Sequence, residues 1–492
     1  MRYKISRDTV MTPQLLAKYI NLHKKDVSKR NRVLQNAYEN KYKIFEAPRK
    51  EDYKPDVRIS ANFAKYLTDT FVGFFCGIPI KINSDDSNID EYLGRLSLYN
   101  DEDNHNLELA KGADIHGDFH ELLYVDEDAE ICYTEVSPLQ SFFLVDDSIL
   151  ERPLFFIRYY KDSNKIERGS WSDSTSVQYF TKNPSIKWDD KPVPHGFDGV
   201  PAVEYRANAE SMGLYESVLS QIDAYNKAIS EKANDVDYFA DAYMKILGPR
   251  VDEKTIPEIR RNRIINFSGN GGDNKIDVDF LQKPEADDTQ ENLLDRLEKL
   301  IFATSMIANI SDENFAGRAS GVALKYKLLA MQNLATFKAL KFQSAMNRRY
   351  KLIFSNPLSG MKDDDWVKID YHFTMNYPAN LGDEAETAKN LEGITSKETQ
   401  LKTLSVVDDP KTELEKIKAE NEESASQMFG QIERNSTLNG AQTASLLSVI
   451  AQFSTGTLSE EQAASVISTS IGISKEEARQ LLLGGTGDGD EA

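Results

Sequence analysis

From Asn314 to Lys362 the chain carries no acidic residue, although its formal net charge is −20 over 492 residues. This tract makes up most of the segment "ANISDENFAGRASGVALKYKLLAMQNLATFKALKFQSAMNRRYKLIF", Ala308 to Phe354, in which a short polar loop with glycine and serine breakers opens into a long run of helical character. A long basic helix in an acidic protein needs anionic partners or stands in water. Either way it restricts the architecture.

The whole-chain charge argues against a protein that simply coats nucleic acid, because affinity for DNA rests mainly on cation–phosphate contacts. It leaves room for a local basic surface. The length allows roughly two to four structural units, and 40% apolar with 28% charged residues is ordinary globular composition. Cys76 and Cys132 are too few for a disulfide framework and fit no zinc spacing. The N-terminal "MRYKISRDTVMTPQLL" lacks the apolar core of a signal peptide. The longest apolar patch, "FVGFFCGIPI", is far short of the ~20 residues that span a bilayer. The expectation is a soluble protein, intracellular or particle-bound, with no membrane partner.

A helix is expected near Pro13 to Lys29 and another across "RISANFAKYLTDTFVGFFCG", with "IPIKI" as a strand and two short helices reaching Gly117. From Asp118 to Arg206 strands dominate, beginning with a hairpin of "FHELLYV" and "EICYTEV" around the acidic turn "DEDA". The first unit therefore reads as α+β with a mainly antiparallel sheet. Tyr215, Val218, Ile222, Tyr225, Ile229, Val236, Phe239 and Tyr243 then fall on one helical stripe, a helix of roughly 50 Å at 1.5 Å per residue. A compact insert follows, with a short helix "PEIRRNR" and a hairpin of "IINF" and "KIDVDFL" around "SGNGGDN". A second helix is expected from Asp288, which forms a capping box with Glu291. "WVKIDYHFTMNYP" alternates as a strand able to rejoin the first sheet. Beyond Leu381 the chain reads as helical and polar, with a disordered tail.

Catalytic motifs fail on inspection. "GRASGVALK" does not match a phosphate-binding loop and follows a helix. A calcium loop starting at Asp312 would have Ala323 where its bidentate glutamate belongs. His116 and His120 have i,i+4 spacing, but Gly117 and Asp118 break the helix between them, so they read as surface or turn histidines. Asp363, Asp364 and Asp365 read as a solvated charge run. No catalytic, cofactor or metal residue is assigned.

The order of elements resembles the portal proteins of tailed bacteriophages, in the branch found in siphophages of Gram-positive hosts. The likeness is carried by "NFAKYLTDTFVGFFCGIPI", "DAYNKAISEKANDVDYFADAYMKILG" and "DENFAGRASGVALKYKLLAMQNLATFKALKFQSAMNRRYKLI". The resemblance implies a portal-type fold: an α+β wing (1–210), stem helices (211–246 and 288–310) flanking a small α/β clip (247–287), a tunnel loop (311–321), a long basic wing helix (322–355), a strand returning to the wing (356–382), a helical crown (383–482) and a disordered tail (483–492). It implies no enzyme and no cofactor, but a dodecameric ring at one capsid vertex. Double-stranded DNA would pass through that ring during packaging and ejection. Implied partners are the terminase large subunit, a head-completion adaptor, and the major capsid and scaffold proteins. Implied locations are the virion and, during assembly, the host cytoplasm.

On this mapping Asp312, Glu313, Asn314, Phe315, Arg318 and Ser320 belong to the tunnel loop and face DNA, and Arg260, Arg261 and Arg263 serve clip docking. For the basic helix two readings stand: Lys325, Lys327, Lys338, Lys341, Arg348, Arg349 and Lys351 pair with acidic faces of the adjacent subunit, or they form a solvated face. Tight DNA binding is disfavoured, since a conduit must let DNA slide and many phosphate contacts would hold it. The rival classes are a metal-dependent DNA-processing enzyme, which needs convergent carboxylates, and another minor head protein such as a scaffold, which the strand-rich first 210 residues contradict.

Overall fold

The computed structural model describes residues 2–50, 55–240, 244–247, 277–280, 287–310, 321–377, 381–404, 406–407, 409–433, 445–446, 448–450, 452–453 and 456–482. The chain divides into two compact units, Met1–Tyr377 and Pro378–Ala492.

Helix α1 (Pro13–Lys29) begins where the Thr12 hydroxyl accepts from the Leu15 amide at 3.2 Å, with proline preset in the first turn. Its Leu16 and Ile20 pack on Phe142, Leu144 and Ile157 of the larger sheet. That sheet is assembled from β1 (Arg2–Ile5), β5 (Ser141–Asp146), β6 (Pro153–Lys161), β7 (Glu167–Ser172), β8 (Ser176–Lys182), β9 (Ile186–Trp188) and β10 (Val193–Pro194). Only β1 on β5 is parallel. The expected hairpin forms as β3 (Asp118–Val125) and β4 (Ile131–Val136), joined by β11 (Ala202–Arg206) into a separate three-stranded sheet. The first unit is α+β and mainly antiparallel as expected, but its strands form two principal sheets where the sequence suggests one.

Helices α2 (Asn31–Tyr38), α3 (Phe63–Cys76), α4 (Ser87–Asn100) and α5 (Glu102–His116) pack around the three-stranded sheet in the main core. α5 stops at Gly117, whose φ of +86° would strain any side chain and whose added Cβ would strike the Ser211 carbonyl. "WVKIDYHFTMNYP" does return as a strand, β14 (Ile369–His372), but its partner is β2 (Lys81–Ser84), and the pair stands apart from the other sheets.

The long middle helix is shorter than its apolar stripe suggested. α6 spans Leu219–Ala240, and Met244–Leu247 is a strand, β12, paired antiparallel with β13 (Asp277–Phe280). The apolar periodicity ran on through "MKIL", four residues that a strand accommodates equally well. "IINF" lies outside the described residues. α7 (Asp287–Ser305) packs beside α6. The Glu291 carboxylate meets the ammonium of Lys232 on α6, and Gln290 donates to Asp235 at 3.0 Å.

α8 (Gly321–Ser355) is the 35-residue basic helix. Leu328, Met331, Ala335, Lys338, Phe342, Ala345, Arg349 and Leu352 are buried at alternating spacings of three and four, so this helix is a spine of the main core. The second unit contains helices α9 (Leu381–Asn390), α10 (Lys397–Leu401), α11 (Pro410–Glu433), α12 (Glu460–Ile471) and α13 (Lys475–Leu482). Its small core gathers Leu446, Ile450, Ala464, Ile467 and Leu482, and a Ser459–Gln462 capping box starts α12. Among the described residues no helix is long and apolar enough to cross a membrane.

Candidate functional site

Three features frame the segment between α7 and α8: the anchoring of α6 and α7, the seating of α8, and the charge left on the surface of α8. α6 is held by a polar ladder one turn apart. The Asn226 carbonyl accepts from the Ala61 amide at 2.8 Å, Ser230 Oγ from Ile59 at 2.9 Å, and the Asn234 carbonyl from Val57 at 2.6 Å. Ser230 also donates to the Ile59 carbonyl and Asn234 to that of Val57. Spacing of i,i+4 on a helix thus meets spacing of two on an extended chain. Reading only the apolar stripe of α6 missed this second stripe, though Asn226, Ser230 and Asn234 show the same period in the sequence.

α8 is seated by ionic contacts. The Lys338 ammonium, 1% exposed, donates to Asp114 Oδ2 at 2.5 Å and to the Ala110 carbonyl at 3.0 Å, beneath the Phe75 ring at 4.8 Å. Burial, outweighing Lys338, leaves the Asp114 pKa raised. Three turns further, Arg349 is fully buried. Its Nη1 donates to Glu102 Oε1 at 2.8 Å, and its Nη2 donates to Asn106 Oδ1 at 2.8 Å and lies 2.6 Å from Glu121 Oε1. His105 bridges Glu121 at 2.8 Å and Glu135 at 3.2 Å. Burial disfavours the imidazolium of His105, but the two carboxylates more than offset it and raise the pKa. For Glu121 the order is the same: burial pushes the carboxyl up, Arg349 and His105 pull it further down, and the net shift is downward.

Lys338 and Arg349 were expected on a face turned to a neighbour or to water. They lie inside their own subunit, because Asp114, Glu102 and Glu121 are buried there and an unpaired buried charge is prohibitive. Arg348 is half-buried and donates to the carbonyls of Ala202 (3.3 Å) and Val200 (3.2 Å). Lys327, Lys341 and Lys351 are exposed. Lys325 lies in the first turns of α8, and its side chain is outside the described residues, as are Asp312, Glu313, Asn314, Phe315, Arg318, Ser320, Arg260, Arg261 and Arg263.

His116 and His120 are buried, not superficial. His120 Nδ1 contacts Ser141 Oγ at 2.7 Å, and burial holds its pKa down to about 3. Asp118, His120 and Glu204 place ligand-type atoms within 4.8 Å of one another. Glu204 Oε2 already accepts from Arg2 Nε at 2.9 Å and Arg206 Nε at 2.7 Å. The group is an ion-pair cluster.

The spine helix, the paired helices α6 and α7 and the strands flanking the insert fall within one homology match: the family described as phage portal protein, SPP1 Gp6-like, covers residues 17–427. This chain belongs to the phage portal protein family. The portal protein of Bacillus phage SPP1 is 24% identical over 397 residues, covering 75% of this chain and 77% of its own length. That of Clostridium phage phiCD119 (strain Clostridium difficile/United States/Govind/2006) is 22% identical over 434 residues, covering 83% and 93%. Both relatives come from phages of Gram-positive bacteria, as the resemblance implied. The portal family is structural, and phage portal proteins are virion components.

Proposed function

We propose that twelve copies of this chain form a ring at one capsid vertex, through which double-stranded DNA is packaged and later ejected. Membership of the portal family across residues 17–427 carries this reading. In it, residues 1–210 with the return at 356–382 form the wing, α6 and α7 the stem, 247–287 the clip, 311–321 the tunnel loop and 383–482 the crown. The clip receives the terminase large subunit and then the head-completion adaptor, with Arg260, Arg261 and Arg263 as docking cations. Major capsid and scaffold proteins contact the ring during assembly in the host cytoplasm. Asp312, Glu313, Asn314, Phe315, Arg318 and Ser320 face the DNA.

The charge pattern supports a conduit over a clamp. α8 places two of its cations in buried ion pairs, so they are unavailable to phosphate, and the whole-chain charge of −20 discourages DNA from sticking. End-on electron micrographs of the purified full chain test the reading. Closed rings with a central channel are expected, and particles that stay monomeric or dimeric at every concentration and salt overturn it.

A further inference from the structure

α8 leaves one long face uncovered. Tyr326, Leu329, Phe337 and Leu340 stand in solvent, the last two 61% and 63% exposed, on the side away from the buried stripe. Positions 326, 329, 333, 337, 340 and 344 step by three or four and share a face. Asn333 separates the Tyr326–Leu329 pair from the Phe337–Leu340 pair and Ser344 ends the face, and exposed large apolar side chains grouped in this way mark a contact with another macromolecule.

The stripe runs into a cleft of about 230 Å³ whose charged lining is Lys341, Arg348, Arg2, Arg206 and Glu204. Glu204 alone serves both Arg2 and Arg206. Glu151 at the edge lies 3.8 Å from Arg2 but is matched by Lys4 at 2.6 Å. Lys341 has no ionic partner among the described residues. Even with Asp118 counted beneath Glu204, cations are in excess. Burial, and then the proximity of Arg2, lower the Arg348 pKa, as expected where positive charge is under-compensated.

A second surface has the opposite character. The last turn of α4 presents Leu98, 88% exposed, and Tyr99. It is fastened to the β3–β4 turn by Tyr99 Oη donating to Asp126 at 2.6 Å and by Arg95 to Glu130 at 3.0 Å. Around this edge Asp101, Asp103, Glu127 and Asp128 are exposed with no ionic partner among the described residues. The two surfaces cannot satisfy one another within a copy. Asp118, paired in register with Arg206, starts β3 at the cleft, and Val125 ends β3 at the acidic turn, roughly 23 Å away at 3.3 Å per residue.

We propose that the Phe337–Leu340 face and cationic cleft of one copy receive the acidic Leu98 edge of the next copy. A ring requires two different, complementary patches on each subunit, and a head-to-tail contact of these two supplies them. Apolar meets apolar, and excess cations meet unpaired carboxylates. The assignment rests on the ring reading and names the surfaces that build it.

The test uses the full chain. Phe337→Ser with Leu340→Ser should raise the concentration for half-assembly at least tenfold in native mass spectrometry, with circular dichroism unchanged. Lys341→Glu should weaken assembly, and Lys341→Glu with Asp128→Lys should regain part of it. Leu98→Cys with Leu340→Cys should give an oxidised ladder of multimers, while either single variant gives none. Background is low because Cys76 and Cys132 are buried. Wild-type rings combined with unaltered assembly of the serine variant, or a disulfide dimer from Leu340→Cys alone, would overturn these surfaces and leave the ring standing. A wild-type chain that never assembles would overturn both.

Discussion

Replacing Lys338 with methionine isolates the cost of leaving one carboxylate in the core without its counter-charge. Asp114 and Lys338 are each about 1% exposed and lie 2.5 Å apart. Methionine keeps the aliphatic stem against Phe71 and Phe75 and removes only the ammonium. Breaking a buried pair from one side costs about 3–5 kcal/mol. With an m-value on the order of 3 kcal/mol/M or more for a unit of this size, the urea midpoint should fall by about 1 M. Tryptophan fluorescence reports this directly, since Trp171, Trp188 and Trp366 all lie in the first unit. The deficit should depend on pH with a definite sign. The Asp114 pKa is already raised in the folded chain, and without Lys338 it rises further. The folded state then binds a proton that the unfolded state releases above about pH 4. The variant should therefore lose stability as pH rises from about 4 towards neutrality and regain it on acidification. Lys338→Met with Asp114→Leu should restore most of the midpoint. A single variant within about 0.5 kcal/mol of wild type at pH 7, or a double variant no better than the single, would refute the buried pair.

Asn234→Ala removes both bonds to Val57 and should cost about 1–3 kcal/mol locally, read as faster hydrogen exchange at the Val57, Ile59 and Ala61 amides with little change in α8. His105→Asn should flatten part of the pH profile. The raised folded pKa of His105 means its contribution is present below about pH 6.5 and lost as pH climbs through the folded value, so wild type should weaken more than the variant as pH rises above about 6.5 in urea titrations. Arg318→Glu in the proposed tunnel loop should leave rings and procapsids normal and slow packaging, with the deficit shrinking as salt rises. Normal packaging at low salt would remove Arg318 from the channel, and loss of rings would make it an interface residue.

Local signals were legible and distant ones were not. Thr12 before Pro13 marks the start of α1, and alternation around "DEDA" marks the β3–β4 hairpin, because cap and turn chemistry act within a few residues. "MKIL" is ambiguous in the sequence because three apolar residues around Lys245 fit either period. β14 was legible as a strand, but its partner β2 lies almost three hundred residues earlier. Lys338 and Arg349 read as surface or inter-subunit charge in the sequence because their partners Asp114 and Glu102 are 224 and 247 residues away. A hint existed nevertheless. Both cations fall in step with Leu328, Met331, Ala335, Phe342 and Ala345, and Glu121 shares the strand parity of Leu123, a core residue.

That placement bears on how the proposed tunnel loop is held. Lys338 and Arg349 are eleven residues apart, close to three full turns, so they project from one side of α8. A slip of one residue would swing both by about 100° and leave Asp114, Glu102 and Glu121 buried without partners. Apolar contacts alone tolerate such slips far better, because neighbouring alanine, leucine and methionine side chains can exchange places at small cost. The two ionic contacts are thus suited to setting the axial position of α8 against α5 and β3, and with it the point at which the helix begins at Gly321. Lys338→Met with Asp114→Leu separates the two roles, since it keeps the burial and removes one of the two contacts that define the register.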